Sequence, residues 1–434
     1  MTQASQADPA TVRAPSLFHH YDFMKLWIGE SISVFGSQFS PIAILFVATN
    51  TLNFQPIQFG ILAALGTLAF LVFGLPVGVW ADRKRRKRTM IGADVGRAVI
   101  LLAIPLAAIF GGLSAELLYA VALTTGILTV FFEICYQSYL PTLVERRQLV
   151  EANSKLQASA ASAQTTGPTL ATVVISLISA PAAIVGDVIG YFSSAAFLTS
   201  IRRPEVVVPM REGRSALMDI KEGLAVVFGD ARLRSIAGST ATANLFSSAW
   251  GAILFPYLIR ELGLPLVELG VIFSIGAAGG ILGAIVASRI AKNIGVGTTV
   301  ILSAFVFSLL QTPLYFVSSS NAFFLLVPAF FGASLGSVVY NVGQVSFRQA
   351  LVSVELQGRM NATMRTLVWG TLPIGGLLGG LLGQLYGYHT AIGIAVAGGM
   401  LAFLWVLFSP VRGIKDIPNA PLISSNPEGT LKSV

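Results

Sequence analysis

The chain has 434 residues, 54% of them hydrophobic and only 11% charged, with a mean hydropathy of +0.75. Soluble domains carry roughly 25% charged residues, so this composition excludes a water-covered globule and points to an integral membrane protein. The net charge of +8 does not argue for nucleic acid. The basic residues fall in short segments between apolar runs, as orienting charge does, and no nucleic-acid module accompanies them.

Read in chain order, the first 24 residues are polar and predict no cleavable leader. A transmembrane helix needs about 20 mostly apolar residues. Twelve such runs follow: Lys25 to Thr49, Pro56 to Ala81, Met90 to Phe110, Ala115 to Leu140, Leu156 to Ser179 and Ala182 to Ile201 in the first part of the chain. Ser235 to Arg260, Leu266 to Arg289, Gly297 to Val317, Ala322 to Val345, Met360 to Gln384 and Tyr388 to Ser409 make up the second. The expected fold is all-α and integral to the membrane, with twelve helices in two pseudo-symmetric six-helix bundles. Residues 25–201 form the first bundle, 235–411 the second, and 1–24 an N-terminal cytoplasmic segment.

Charge sets the orientation. Arg83 to Arg88 are six consecutive basic residues between two apolar runs, and burying that many charges in lipid is prohibitive, so they stay on the cytoplasmic side. With both termini inside, Arg146, Arg147, Lys155, Arg202, Arg203, Arg211, Arg214, Lys221, Arg232, Arg234, Arg289, Lys292, Arg359, Arg412 and Lys415 also face the cytoplasm. Arg260 alone is left outside. An odd number of spans would strand one basic cluster.

The two parts of the chain repeat. Gly78-Val-Trp-Ala-Asp-Arg-Lys faces Gly283-Ala-Ile-Val-Ala-Ser-Arg at a shift of about 205 residues, and Gly167-Pro168 falls over Leu372-Pro373. The segment joining them, 202–234, contains Ala216-Leu-Met-Asp-Ile-Lys-Glu-Gly-Leu-Ala-Val-Val-Phe. Its spacing predicts an amphipathic helix on the cytoplasmic membrane face. The tail, residues 412–434, holds Pro418, Pro421, Asn426 and Pro427 and is expected to be disordered.

The twelve runs, the repeat, the central loop and Gly78-x-x-x-Asp82-Arg83-x-x-Arg86-Lys87 together resemble the major facilitator superfamily. Gly92-Ala-Asp94-Val-Gly-Arg97, Leu140-Pro141-Thr-Leu-Val, Glu151-Ala-Asn153, Gly186-Asp187, Gly358-Arg359-Met and Trp369-Gly-Thr-Leu-Pro373 are similar to its drug-efflux branch, which includes siderophore and macrolide exporters. The resemblance implies that the loop motif locks the outward-open state by bridging the two halves. Gly78 would permit close approach. Asp82 would accept from free amides at the start of the eleventh span, near Met360 to Thr363, while Arg83 and Arg86 would hold carboxylates. Lys87 belongs to the same gating motif; Lys84, Arg85 and Arg88 are read as topology anchors that touch anionic lipid. Asp94 and Arg97, three apart on one helix face, are expected to pair as a structural ion pair beside the motif. Two departures stand out. The fourth span has no basic residue and carries Glu133, and Ala287 replaces the acid in the second copy of the motif.

Glu30, Glu133 and Asp187 lie within spans with no opposite charge nearby in sequence. Carboxylates in such places are expensive and functional by default, so these three are the proton-coupling candidates. A proton moving inward gains about 2.3 kcal/mol per 100 mV. The substrate path is expected between the halves near the midplane. Its candidate lining is Phe35, Gln38, Phe131, Tyr136, Asn244, Trp250, Tyr340 and Gln344. These residues suit a lipophilic or amphipathic small molecule, a cation included if Glu30 or Glu133 faces it.

The single cysteine, Cys135, and three scattered histidines, His19, His20 and His389, offer no disulfide or metal set. No cofactor is expected beyond a proton gradient. No nucleotide-binding loop occurs, nor a catalytic constellation, so the chain is read as a non-enzyme. The reading is a proton-driven exporter of amphipathic small molecules, surrounded by lipid and acting as a monomer. An importer of a metabolite or a lysophospholipid transporter of the same fold is the alternative.

Overall fold

The computed structural model describes residues 17–82, 84–145, 148–203, 216–415, 422–425 and 431–433. Nearly all of them are helical. The first group of helices is α1 Tyr21–Thr51, α2 Pro56–Asp82, α3 Arg86–Phe110, α4 Ala115–Leu143, α5 Leu149–Leu177 and α6 Ala180–Ser200. A connecting helix, α7 Ala216–Gly229, follows. The second group is α8 Ala231–Pro256, α9 Leu266–Ile294, α10 Val296–Phe316, α11 Ala322–Leu351, α12 Leu356–Tyr386 and α13 Tyr388–Leu407.

By length and composition, ten helices among the described residues could cross a membrane. The count differs from the twelve expected because α5 and α8 fall short. Both are as long as their neighbours but rich in Ser and Thr, and both open with charged residues such as Lys155 and Arg232. Most of the ten are apolar on every face, as spans in lipid are. Ile109, Phe110, Leu177, Phe324 and Phe408 accordingly point outward, each more than three-quarters exposed or nearly so.

Caps and breakers end the helices where the sequence supplies them. Ser114 accepts from the Leu117 amide at 3.2 Å to start α4, and Gly111 closes α3 at φ 73°, a left-handed value that glycine adopts without strain. Helices α1–α6 pack mainly on one another, as do α8–α13, and the contacts α2 with α12 and α5 with α9 join the two groups. In the first of these contacts a Cβ on Gly60 would lie 2.8 Å from Gly380 Cα. Only glycine permits backbones that near, the device by which helices associate in lipid.

Two connecting segments pack against the helix groups. Helix α7 forms over the expected residues, but it docks on protein. Gly223 lies against the start of α12, where an added Cβ would come within 2.7 Å of the Arg359 carbonyl. Glu222 pairs with Arg359 at 2.6 Å, and Val226 and Val227 are buried. The tail is also ordered where described. Ile414 and Lys415 accept from the Gly297 and Val296 amides, both at 3.0 Å, and Leu422 donates to Leu351 at 2.9 Å. Ile423 is buried at the end of α11, and strands β1 Ile423–Ser425 and β2 Leu431–Ser433 pair antiparallel. Pro418, Pro421, Asn426 and Pro427, on which the expectation of disorder rested, lie outside the described residues; the free amides at the start of α10 need partners, and the carbonyls of Ile414 and Lys415 satisfy them.

Candidate functional site

A cluster of charged side chains is buried inside α1–α6. On α3, Asp94 and Arg97 form the expected ion pair, almost wholly buried. The guanidinium lies between two rings, 4.5 Å from the Phe132 centroid on α4 and 4.1 Å from that of Tyr191 on α6. Aromatic faces attract a cation when water is excluded, so the site holds the arginine by more than one carboxylate. Glu30 on α1 feels Arg97, Asp94 and Glu133, and Asp187 on α6 feels Arg97 and Asp94. Two of the three carboxylates that lacked a countercharge in sequence, Glu30 and Asp187, therefore share the field of Arg97, while Glu133 adjoins Glu30. The pair expected beside the loop motif also lies against these carboxylates. The cluster is incompletely satisfied: Glu30 Oε2, Asp187 Oδ1 and Asp94 Oδ2 are buried without a hydrogen-bond partner.

Of the gating motif, Gly78 and Asp82 lie in the last turns of α2, while the Asp82 side chain and the whole of Arg83 lie outside the described residues. Arg86 donates to the Ser138 carbonyl at 3.4 Å, and Lys87 donates to the Ile201 and Thr199 carbonyls at 2.6 and 3.2 Å. Both side chains thus bind carbonyls within the first group, Lys87 at the C-terminal end of α6, where a cation is favoured.

The end of the molecule opposite the basic cluster is sealed. Helices α1 and α8 both finish in a wide π-turn, Val47–Thr51 and Tyr257–Glu261, and each is followed by a left-handed residue, Asn53 at φ 51° and Gly263 at φ 65°. The two turns repeat in backbone form at a shift of 210 residues, and Arg260 stands where Asn50 stands. Its guanidinium crosses to the first group and donates to the Phe54 carbonyl at 2.6 Å and to the Thr49 carbonyl. The one basic residue that broke the charge rule is thus a pin between the halves. Near it, the Thr169 amide and hydroxyl both bond Ser274 Oγ, at 3.1 and 2.8 Å. Further along the α2–α12 contact, Arg365 stacks on Trp369, 4.6 Å from its centroid, with Phe70 beyond.

A cavity of about 320 Å³ opens within α8–α11, with Gln164 of α5 completing its wall. Trp250 of α8 lines it and donates its indole N–H to Gln311 Oε1 at 2.8 Å. A smaller annexe of about 70 Å³ adjoins it through Phe307 and Ser337 and reaches Asn244 and Tyr340. Tyr340 bonds Thr240 at 2.8 Å, and Asn244 donates to the Val368 carbonyl at 3.1 Å, where α12 is interrupted at Gly370.

The family model of the Major Facilitator Superfamily matches residues 26–371 and, overlapping, 237–431. The chain belongs to that superfamily. It is a multi-pass membrane protein of a transporter family, not an enzyme. Macrolide efflux protein A of Streptococcus pyogenes is 26% identical over 206 residues, 47% of this chain and 51% of that protein, so the match spans about half the relative's length. Multidrug efflux pump Tap of Mycolicibacterium fortuitum is 24% identical over 380 residues, covering 85% of this chain and 91% of the pump. Among solved structures, the nucleoside transporter NupG superposes with a TM-score of 0.72 at 12% identity, covering 89% of this chain and 98% of that one. A bacterial homologue of the iron transporter ferroportin superposes at 0.70 in its inward-facing state, with 16% identity and 91% and 99% covered. Its outward-facing state reaches 0.55, with 17% identity and 89% and 98% covered.

Within the superfamily fold, the residues expected along the path divide. Trp250 reaches the cavity, and Asn244 and Tyr340 reach its annexe. Gln344 is buried and donates to Asn341 at 2.9 Å. Gln38 lies flat on Gly167 of α5, donating to the Val34 carbonyl at 3.3 Å. Phe35 is half-buried on α1. Phe131 and Tyr136 pack in the first group, where Tyr136 stacks on Phe132 with centroids 5.8 Å apart. Sequence reasoning missed Gln164, Gln311 and Arg260. Gln311 had a signal: Gln-Thr-Pro interrupts an apolar run, and Pro313 breaks the helix there and turns the amide inward. Arg260 had one too, as the lone misplaced charge.

Proposed function

We propose that this superfamily member is a secondary active exporter of amphipathic small molecules, driven by protons entering in exchange. It works as a monomer with twelve spans, α5 and α8 included, in two six-helix bundles. Both termini and the Arg83–Arg88 loop face the cytoplasm, and the conformation described is inward-facing. The seal at Arg260 supports that orientation of the cycle, as does the better superposition on an inward-facing relative than on its outward-facing form. The efflux activity named for two relatives supports the direction of transport.

One observation carries the coupling: Glu30 Oε2 is buried without a hydrogen-bond partner, within the field of a buried arginine. Exporters of this kind often carry a basic group on the fourth helix; here Arg97 reaches α4 from α3, against Phe132. A proton on Glu30 would loosen its hold on Arg97, and departure of the proton would restore it. That two-state element is what a proton-driven switch requires. Accumulation of tritiated chloramphenicol by energised inverted vesicles, in which export is directed into the lumen, tests it. A protonophore should abolish the accumulation, and accumulation that continues in its presence removes proton coupling.

The loop motif is read as a gate engaged in the other state of the cycle, with Gly78, Asp82 and Arg83 facing α12. Asp82→Asn should reduce transport at least tenfold while membrane insertion stays normal. Unchanged transport by that variant refutes the gate.

A further inference from the structure

We propose that the cavity among α8, α9, α10 and α11 is a ligand site for a compact, uncharged amphipathic molecule with one aromatic ring and neutral hydrogen-bonding groups. This deepens the exporter reading by naming the class of cargo, and rests on it for that reason. The site lies within the second helix group, with one wall residue, Gln164, from the first. Its volume of about 320 Å³ stands at the lower end of the range for small-molecule sites, about 300–1,000 Å³.

Its lining decides the chemistry. Neither the cavity nor its annexe is lined by an acidic or basic side chain. The acids Glu30, Asp94, Glu133 and Asp187 belong to α1, α3, α4 and α6, in the other group of helices. A cation bound here would be desolvated with nothing to pair it, which is costly. The aromatic component is explicit. Trp250 and Phe330 lie with centroids 6.3 Å apart and planes tilted by 38°, and a planar ring fits against such faces. The indole N–H is already committed to Gln311 Oε1 at 2.8 Å, which fixes the ring and leaves the Gln311 amide NH₂ as a donor. Ser337 and the annexe hydroxyls offer further neutral partners, and a space of about 70 Å³ admits water beside the ligand.

Gln164 makes the site sensitive to conformation. It is the one lining residue from the first helix group, and it comes from α5, the helix that Thr169 ties to Ser274 of α9. The wall is complete only while α5 sits on α9. A ligand that uses Gln164 therefore binds this state better than one in which the two helices part, and shifts the equilibrium toward it.

The test uses the purified full-length protein in detergent and tritiated chloramphenicol, an uncharged molecule with one ring, two hydroxyls and an amide. Equilibrium dialysis should give saturable binding that tetraphenylphosphonium, a lipophilic cation, does not displace. Trp250→Ala and Gln164→Ala should each weaken binding about tenfold. Gln164 is exposed on α5, so its variant keeps the fold even if Trp250→Ala does not. Absence of saturable binding, unchanged affinity in the Gln164 variant, or displacement by the cation at equal concentration overturns the proposal. Because dialysis needs no gradient, binding without transport would count against the exporter reading alone. Efflux of chloramphenicol without binding at this cavity would count against the site alone.

Discussion

At the scale of single residues, two arginines explain most of what holds this molecule in its present state. Arg97 is buried where few charges are tolerated, and it stays because a carboxylate, two aromatic rings and the field of Glu30 and Asp187 surround it. Removing one partner of such a cluster is worse than never having built it, since the remaining charge is left uncompensated. Arg260 has the opposite character. It is partly exposed and acts through donated hydrogen bonds to two carbonyls across the helix groups. Hydrogen bonds to a charged donor are each worth about 1.5–3 kcal/mol, enough to shift a two-state equilibrium tenfold or more. Arg260→Ala should therefore open the sealed end. The measurement is labelling of Thr172→Cys by a membrane-impermeant maleimide in whole cells, with the buried Cys135 contributing little background. Labelling that rises at least severalfold is expected; equal labelling with and without Arg260 would show that the pin is not what closes this end.

At the scale of elements, the start of α8 shows how a polar helix is anchored at the membrane edge. Asp230 accepts from the Arg232 and Leu233 amides at 2.8 and 3.2 Å and from the Arg232 guanidinium at 2.7 Å. Burial pushes the Asp230 carboxyl up, but the Arg232 side chain and the two amides outweigh it and hold the group below its ordinary value. A carboxyl depressed on folding contributes stability above its unfolded pKa and loses it as pH falls through the folded value. Asp230→Ala should thus cost about 1 kcal/mol at neutral pH, the usual loss of a cap, and the gap from wild type should close below the ordinary carboxylate range. Thermal melting in detergent at stepped pH reads this directly; a constant gap down to pH 3 would mean that the charge of Asp230 contributes nothing. The same scale explains α5 and α8 as the least apolar helices. Their Ser, Thr and Gln residues face the space between the groups, as Gln164 does.

At the scale of the whole molecule, the proposed orientation places the basic cluster in the cytoplasm and the Arg260 end outside. Single cysteines at Ser319 and His389 should react with an impermeant reagent added to intact cells, and one at Lys84 should react only after permeabilisation. The reverse pattern would invert the molecule and the direction of transport with it. The two helix groups meet through α2–α12 and α5–α9, the contacts about which the proposed cycle would move them. At Gly60 and Gly380 the backbones meet directly, while Phe70, Arg365 and Trp369 fill the same interface further along.

Much of this was legible in the residues alone. Apolar runs of spanning length, the bias of basic residues, the repeat and the loop motif specify a polytopic helical protein, its family and the ends of most helices, because lipid forces each backbone to satisfy itself within one segment. Asp94 with Arg97 was readable as well, since three residues make one helix turn. What joins distant segments was not. That Arg97 serves Glu30 and Asp187, that Arg260 reaches Thr49, that α7 and the tail dock on protein, and that Gln164 completes a cavity in the opposite helix group all depend on which faces meet. Those meetings are decided by packing between helices uniformly apolar in sequence, where small residues permit contact at many registers and only the assembled bundle selects one.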